Sequence, residues 1–264
     1  ILVSIHLSTL DRFFTVHALR RADLVHAEGE DTKEVLLRLG VDRQNIVVMP
    51  LGVDTEKFIP GNPPNEFIEK YGLTGTKLVV STRTLNPIHD VETVIRAASL
   101  VLQKVSDIKF LIVSAGVDAR ALRELAESLN IGKSLIFTEY VKEHELIACL
   151  QAADIYVSTS LSDSGTPAST AEAMACGLPV ISTDVGNVSS RIRNGEGGYV
   201  VPLKRPDIIA KKILHLLDNP ALRKSAGRLN RRHIEEHYDV RNVVQQMESL
   251  YSLLVVQSRT AGAK

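Results

Sequence analysis

Asp154-Ile-Tyr-Val-Ser158, Thr159-Ser-Leu-Ser-Asp-Ser-Gly-Thr-Pro167, Ala168-Ser-Thr-Ala-Glu-Ala-Met-Ala175 and, beyond Cys176-Gly177-Leu178, Pro179-Val-Ile-Ser-Thr183 follow one another through the middle of the chain. The first and last are short apolar runs, as expected of strands covered on both faces. Between them, a loop crowded with hydroxyls opens an alanine-rich helical segment. Pro167 suits the first helical position, and Thr166 or Ser164 suits the cap. Strand, crossover helix and strand form the unit of a parallel sheet with right-handed connections.

The same alternation extends outward. Upstream, strands are expected at Lys77–Thr82, Ile108–Val113 and Ser134–Thr138, separated by helices at Val91–Lys104 and Ala119–Leu129. A further helix, Glu143–Ala152, precedes the central stretch. Val91, Val94, Ile95, Ala98 and Val101 recur at helical spacing. Downstream come a short helix after Asn187, a strand at Gly198–Val201, and helices at Pro206–Leu217, Pro220–His237 and Asp239–Val256 before a frayed tail. The fold class is therefore α/β, a parallel sheet with helices on both faces. The first 50 residues are sparser. They hold a helix (Leu10–Arg21), a strand (Leu24–Ala27), a helix (Thr32–Leu39) and a strand (Ile46–Met49), with Ile1–Ile5 as a third candidate strand. So short a segment buries too little surface to stand alone. Pro60-Gly-Asn-Pro-Pro64 reads as a turn-forming linker.

Composition narrows the function. The 264 residues carry 31 basic and 31 acidic side chains. The net charge of zero removes the electrostatic case for broad nucleic-acid binding. Hydrophobic residues at 44% with 23% charged residues describe a globular chain, and no apolar run is long enough to span a bilayer. Two cysteines, Cys149 and Cys176, make no disulfide framework and suit a reducing cytoplasm. The chain opens on Ile1 without the pattern of a signal peptide, which reads as a processed or truncated start. Trp is absent and aromatics are only 5%, so a ligand is expected to be held by polar groups and backbone rather than by stacking.

In open parallel sheets, ligands bind beyond the carboxyl ends of the strands. The loop 158–167 lies there, and the helix it opens offers free N–H groups and a partial positive charge to phosphate or carboxylate. Asp163, Ser164, Gly165 and Thr166 are its candidate binding residues. Glu172 is a lone acid in an apolar run, and helical side chains lean toward the N-terminus, so it can reach back to that mouth. Arg83, at the end of Lys77–Thr82, can grip an anion with its forked donors. His89 lies just before the next helix, with Asp90 as a candidate N-cap. Thr183–Ser190 is a weaker third loop of the same kind. His233-Ile-Glu-Glu-His237 fits a zinc-peptidase pattern, but a solvated helical face accounts for it and no third ligand is evident.

The ordered set of motifs resembles glycosyltransferase family 4, retaining enzymes of the GT-B fold. It comprises Arg21-Ala-Asp-Leu-Val25, Ile46-Val-Val-Met-Pro-Leu-Gly-Val-Asp54 with Phe58, Leu85-Asn-Pro-Ile-His-Asp-Val-Glu92, Phe110-Leu-Ile-Val113, Ala153–Ser160, Glu172–Ile181 and Asn194–Pro202. The resemblance implies two Rossmann-like domains. Residues 1–52 would be the end of an incomplete acceptor-side domain, 53–236 the nucleotide-sugar-binding domain, and 237–264 a helix returning to the first domain, with its tail. It implies a hexosyltransferase that uses a nucleotide-diphosphate-sugar donor and a glycan or lipid-linked acceptor, with no cofactor, no metal and no nucleic acid. The Asp-x-Asp metal site of the other major nucleotide-sugar transferase architecture is missing.

By resemblance Glu172 is expected to hold the donor ribose. The family's first glutamate falls on Ser164, so Ser164 and Glu172 are the candidate catalytic residues. Arg83 would grip the diphosphate, and His89 falls where the family has lysine. Tyr140, within Glu139-Tyr140-Val141, would lie at the base. The enzyme is expected in the cytoplasm, with any peripheral membrane contact made through the acceptor-side domain. The alternative is a nucleotide-sugar-binding module that has lost catalysis, motivated by Ser164 and His89.

Overall fold

The computed structural model describes residues 9–261 apart from 164, 166 and 187. The first strand pair is β1 (Val25–Ala27) beside β2 (Ile46–Val48), joined through α2 (Glu30–Arg38) and preceded by α1 (Thr9–Arg21). The main sheet has six parallel strands: β3 (Lys77–Ser81), β4 (Ile108–Val113), β5 (Leu135–Thr138), β6 (Ile155–Ser158), β7 (Val180–Thr183) and β8 (Gly198–Val201). Their spatial order is β5-β4-β3-β6-β7-β8. The chain winds outward from β3 to β5, returns to the far side of β3 as β6, and winds outward again. The order therefore reverses between β3 and β6, and that reversal opens a crevice above their carboxyl ends.

Strand alternation sends neighbouring residues to opposite cores. Val79, Phe110, Ile112, Ile155, Val157 and Ile181 pack in one cluster that includes α4 (Val91–Leu102), α5 (Ala119–Ser128) and α9 (Pro206–Asp218). Leu78, Val80, Leu111, Tyr156 and Val180 pack on the other face with α3 (Asn65–Tyr71), α6 (Glu143–Ala152), α7 (Ala168–Ala175) and α10 (Pro220–His237). Both faces are covered, which explains why the strands read as continuous apolar runs rather than alternating ones.

The expected α/β architecture is present, with three differences in detail. Helix α3 follows the proline linker and has no counterpart in the sequence reading. Its seven residues are too few for a periodic signal, and it is set by Pro64 before it and the left-handed Gly72 (φ 58°) after it. Helix α7 starts at Ala168, so Pro167 occupies the N-cap instead of the first turn; the cap candidates Ser164 and Thr166 lie outside the described residues. The last helix, α11 (Val240–Ala261), continues past Val256 where a frayed tail was expected. Ile1–Ile5 and Asn187 also lie outside the described residues, and α8 (Val188–Arg191) follows the latter. On α1, Phe13 and Phe14 are exposed.

Val53, beyond the strand pair, is tied to the junction of α10 and α11. The amide of Val53 donates to the Tyr238 carbonyl (2.7 Å), and the amide of Val240 donates to the Val53 carbonyl (2.9 Å). Arg231 spans beneath it, donating to the carbonyls of Thr55, Phe58 and Ala175.

Candidate functional site: an anion cradle at the strand-order reversal

Arg83 sits two residues beyond β3, at the crevice, and is only 8% exposed. Its guanidinium crosses to the loop after β6. Nη2 pairs with Asp163 Oδ2 at 2.6 Å, and Nη1 donates to Ser169 Oγ at 3.0 Å in the first turn of α7. Nη2 also lies 2.9 Å from His89 Nδ1. A guanidinium can only donate, so Nδ1 is the acceptor and the histidine proton resides on Nε2. Burial first, and then the Arg83 charge, hold the His89 pKa below its ordinary value, while Asp163 opposes this weakly. His89 is thus a neutral acceptor that orients Arg83; it supplies no second positive charge.

The loop bearing His89 is fixed from beneath. Thr159 is fully buried, and its single hydroxyl proton is shared between the carbonyls of His89 (3.1 Å) and Asp90 (2.9 Å). The Leu161 amide donates to Ile88 O, and Ser160 Oγ lies 3.1 Å from His89 Nδ1. Thr183 Oγ1, at the end of β7, donates to Ser160 O at 2.7 Å. Asp90 does occupy the N-cap position of α4, but in the left-handed conformation (φ 45°), and its carboxylate accepts from the Thr93 hydroxyl instead of capping a backbone amide.

Several polar atoms around Arg83 are buried without a hydrogen-bond partner among the described residues: Arg83 Nε, Ser81 Oγ, Ser158 Oγ and Thr170 Oγ1. They cluster by sequence at the carboxyl ends of β3 and β6 and the first turn of α7. Orphaned buried donors are costly in a folded protein and commonly mark a place for water or a ligand. Tyr156, wholly buried, places its hydroxyl 3.3 Å from Thr82 Oγ1. Burial chiefly raises its pKa; Arg83 lowers it and Glu172 raises it, so both charges reach this hydroxyl.

Glu172 lies one turn into α7. Burial, and secondarily the Glu143 carboxylate, raise its pKa. Glu143 begins α6, just after the turn Glu139-Tyr140-Val141. Tyr140, 86% exposed, lies beyond β5. Gly165, at φ 59°, passes so close to the first strand pair that a Cβ would meet the Glu28 carbonyl at 2.8 Å. Gly186, also at φ 59°, packs on Gly165 in turn, where a Cβ would lie 2.3 Å from its carbonyl. Alanine is excluded at both by backbone contact as well as by torsion.

Of the residues singled out by sequence, the structure gathers Arg83, His89 and Asp163 into direct contact and sets Gly165 beside them. Glu172 lies on α7 and Tyr140 beyond β5, while Ser164 and Thr166 are outside the described residues. Sequence reasoning passed over Ser169, Ser160 and Thr159. Ser169 was within reach, being a hydroxyl in the first turn of the helix already picked as an anion site. His233 and His237 stack edge to face (4.9 Å between ring centres) rather than converging on a common point with a third ligand. Among the described residues, no group of three or more His, Cys, Asp or Glu could hold a metal ion.

Fold and site together describe a doubly wound α/β protein with a nearly buried arginine cluster at its strand-order reversal. The chain belongs to the family of glycosyl transferases group 1, whose model matches residues 65–233. It is 27% identical over 238 residues to an uncharacterized glycosyltransferase of Methanocaldococcus jannaschii, covering 89% of this chain and 60% of that protein. It is 29% identical over 199 residues to a GDP-mannose-dependent monoacylated alpha-(1-6)-phosphatidylinositol monomannoside mannosyltransferase of Corynebacterium glutamicum, covering 72% of this chain and 51% of that enzyme. The chain thus spans only part of the length of these relatives. Among solved structures, Anabaena HepE in complex with UDP superposes with a TM-score of 0.84 at 18% identity, over 94% of this chain and 68% of that one. Among the described residues, no helix is long and apolar enough to cross a membrane.

Proposed function

We propose that this chain supplies the donor-binding part of a retaining hexosyltransferase that takes a nucleotide-diphosphate sugar. The observation that carries this reading is the Arg83 cradle. A nearly buried guanidinium faces the start of α7 across the strand-order reversal, with an unpartnered Nε and buried hydroxyls around it. A diphosphate oxygen would take the place on Nη2 that the Asp163 carboxylate occupies. The free N–H groups at the start of α7 would meet the same anion. Negative charge grows on the diphosphate as the glycosidic bond breaks, so donors already aimed there lower the barrier without rearranging. Glu172 would accept from the ribose, and the turn at Tyr140 would border the base. The chain's own charge stabilisation accounts for departure of the diphosphate without a metal or cofactor.

The relatives support this reading in kind: one is a GDP-mannose-dependent transferase, and a structural neighbour was solved with UDP-glucose. The acceptor is read as a glycan or a lipid-linked saccharide. A lipid-linked acceptor would bring the protein to a membrane surface, where the exposed Phe13 and Phe14 of α1 lie beside basic Arg12. A cytoplasmic setting agrees with Cys149 and Cys176, free thiols that burial pushes up to about 12. Calorimetric titration of the folded chain with UDP and with GDP tests the reading. Binding of one of them, weakened at least tenfold in Arg83→Ala, is expected; no binding of either would overturn it. One observation favours the binding-only alternative: His89 is neutral where the family pattern carries a lysine. Sugar transfer or donor hydrolysis by the full-length polypeptide would exclude that alternative.

A further inference from the structure

A guanidinium offers an anion two forks, Nε with Nη2 and Nη1 with Nη2. Either two-bonded grip on Arg83 needs an N–H of Nη2. Both of those N–H groups are engaged: one by Asp163 Oδ2 at 2.6 Å, the other by His89 Nδ1 at 2.9 Å. Nη1 is partly engaged by Ser169, and Nε has no partner among the described residues. A diphosphate that grips Arg83 in either fork must therefore displace Asp163 or His89.

The structure favours displacing Asp163. His89 is a neutral acceptor and does not repel an incoming anion, and Ser160 and Thr159 hold it and its loop in place. The Asp163 carboxylate repels a diphosphate in a setting that screens charge poorly, since its side chain and that of Arg83 are only 17% and 9% exposed. Asp163 also has somewhere to go. It lines a cavity of about 470 Å³ between β1 and α2 on one side and the loops after β6 and β7 on the other. The hydroxyls of Ser162 and Thr32 share that wall, as do Glu28 and Asp31. Neither acid is an unopposed charge: Arg191 of α8 acts on Asp31, and Glu28 has a partner of its own. The loop is pinned on both sides of Asp163, by the Leu161 amide on Ile88 O and by the close approach of Gly165 to the Glu28 carbonyl. The motion required is thus a turn of one side chain.

Resting on the transferase reading above, we propose that Asp163 is an internal competitor of the donor: its carboxylate closes the Arg83 fork until a diphosphate arrives, then turns into the adjoining cavity. The pair spares Arg83 the cost of an uncompensated buried charge. It also lowers the apparent donor affinity by the fraction of time for which the fork is free. Ser169 and His89 keep the guanidinium aimed after Asp163 has left.

Calorimetric titration of the folded chain with UDP, GDP and inorganic pyrophosphate tests this, in wild type, Asp163→Asn and Asp31→Asn. Asp163→Asn is expected to bind the preferred nucleotide at least tenfold tighter than wild type, as for a fork free about one-tenth of the time or less, and to gain similarly for pyrophosphate. Asp31→Asn, which removes a carboxylate from the same cavity but not from Arg83, should change either affinity less than twofold. A crystal structure of the wild-type chain with bound nucleotide should show Asp163 turned away from Nη2. Unchanged or weaker binding by Asp163→Asn, an equal gain in Asp31→Asn, or an Asp163–Arg83 pair intact beside bound nucleotide would overturn the proposal. If Asp163→Asn fails to fold, the wild-type complex decides. Nucleotide binding with any of those results sinks this inference alone, whereas absence of UDP and GDP binding in wild type and variants sinks the transferase reading with it.

Discussion

The two sides of Asp163 differ in how the protein handles charge. On the cradle side, Arg83 is held by three side chains, Asp163, Ser169 and His89, and is nearly sealed from water. On the cavity side, Glu28 and Asp31 border an open space of about 470 Å³. The cradle is over-determined: elements from β3, β6 and β7 converge on it, and even its supporting backbone carbonyls are bonded by buried threonines. The cavity is bordered by Gly186, which packs closely on Gly165. One side holds its charge in a fixed network, while the other lines an open space.

The largest effect expected of any single change is on the cradle side. Arg83→Ala strands the Asp163 carboxylate, only 17% exposed, without its counter-charge. A loss of about 3 kcal/mol in urea-unfolding free energy is expected, as for other buried ion pairs broken from one side. A loss comparable to that of a surface pair, below about 1 kcal/mol, would mean that the cradle is not the rigid element described here. Next comes Thr159→Val, which keeps the shape but removes the proton shared between the carbonyls of His89 and Asp90. A cost of about 2 kcal/mol is expected, together with faster amide exchange across residues 86–90; unchanged exchange would show that the loop does not depend on this threonine.

Glu172→Gln should pull stability and binding in opposite directions. The folded carboxyl has a raised pKa, so the native state holds its proton to higher pH than the unfolded chain does. The stability tied to that proton is full below the unfolded value near 4.5 and is lost as pH rises through the folded value. At pH 7 the glutamine variant should therefore melt higher than the wild type, with the gap closing near pH 4, while nucleotide affinity falls about tenfold through loss of a charged acceptor. A lower melting point at pH 7 would contradict burial as the dominant influence on Glu172.

The smallest effect belongs to His89. Its depressed pKa means that the unfolded state binds the proton first on acidification. Stability is therefore full above the ordinary imidazole value of 6.5 and is lost as pH falls toward the folded value. Protonation would also turn Nδ1 into a donor against Arg83. Thermal melts between pH 7.5 and 5.5 should show a shallow decline that His89→Gln flattens; an identical slope in the variant would remove His89 from the pH response.

Much of this was readable in the chain. Each of the six strands of the main sheet was legible, because a strand covered on both faces must be apolar throughout, and flanking glycines and prolines bound such runs sharply. The placing of Arg83 and the 158–167 loop beyond the carboxyl ends of β3 and β6 was legible, because strand-to-helix loops of a parallel sheet emerge on that side. Helix α3 was not, being too short for periodicity to register. Nor was the partnership of Arg83 with Asp163, since the two are 80 residues apart and no local pattern links them. The neutrality of His89 was readable only as the ordinary tendency of imidazole at pH 7; the burial and the donors that enforce it, Arg83 and Ser160, come together only where the loops after β3 and β6 meet.

The amino-acid sequence alone determined the order of the six main-sheet strands along the chain, the parallel sense of the sheet, and which loops lie beyond the strands' carboxyl ends. These follow from periodicity, covalent connectivity and the handedness of crossovers, all local in the chain. Only the tertiary structure decided that Asp163 turns to Arg83, that Thr159 carries the His89 loop, and that β1 and α2 close a carboxylate-lined cavity against Gly186. These depend on distances between segments remote in sequence, and such distances are settled by packing.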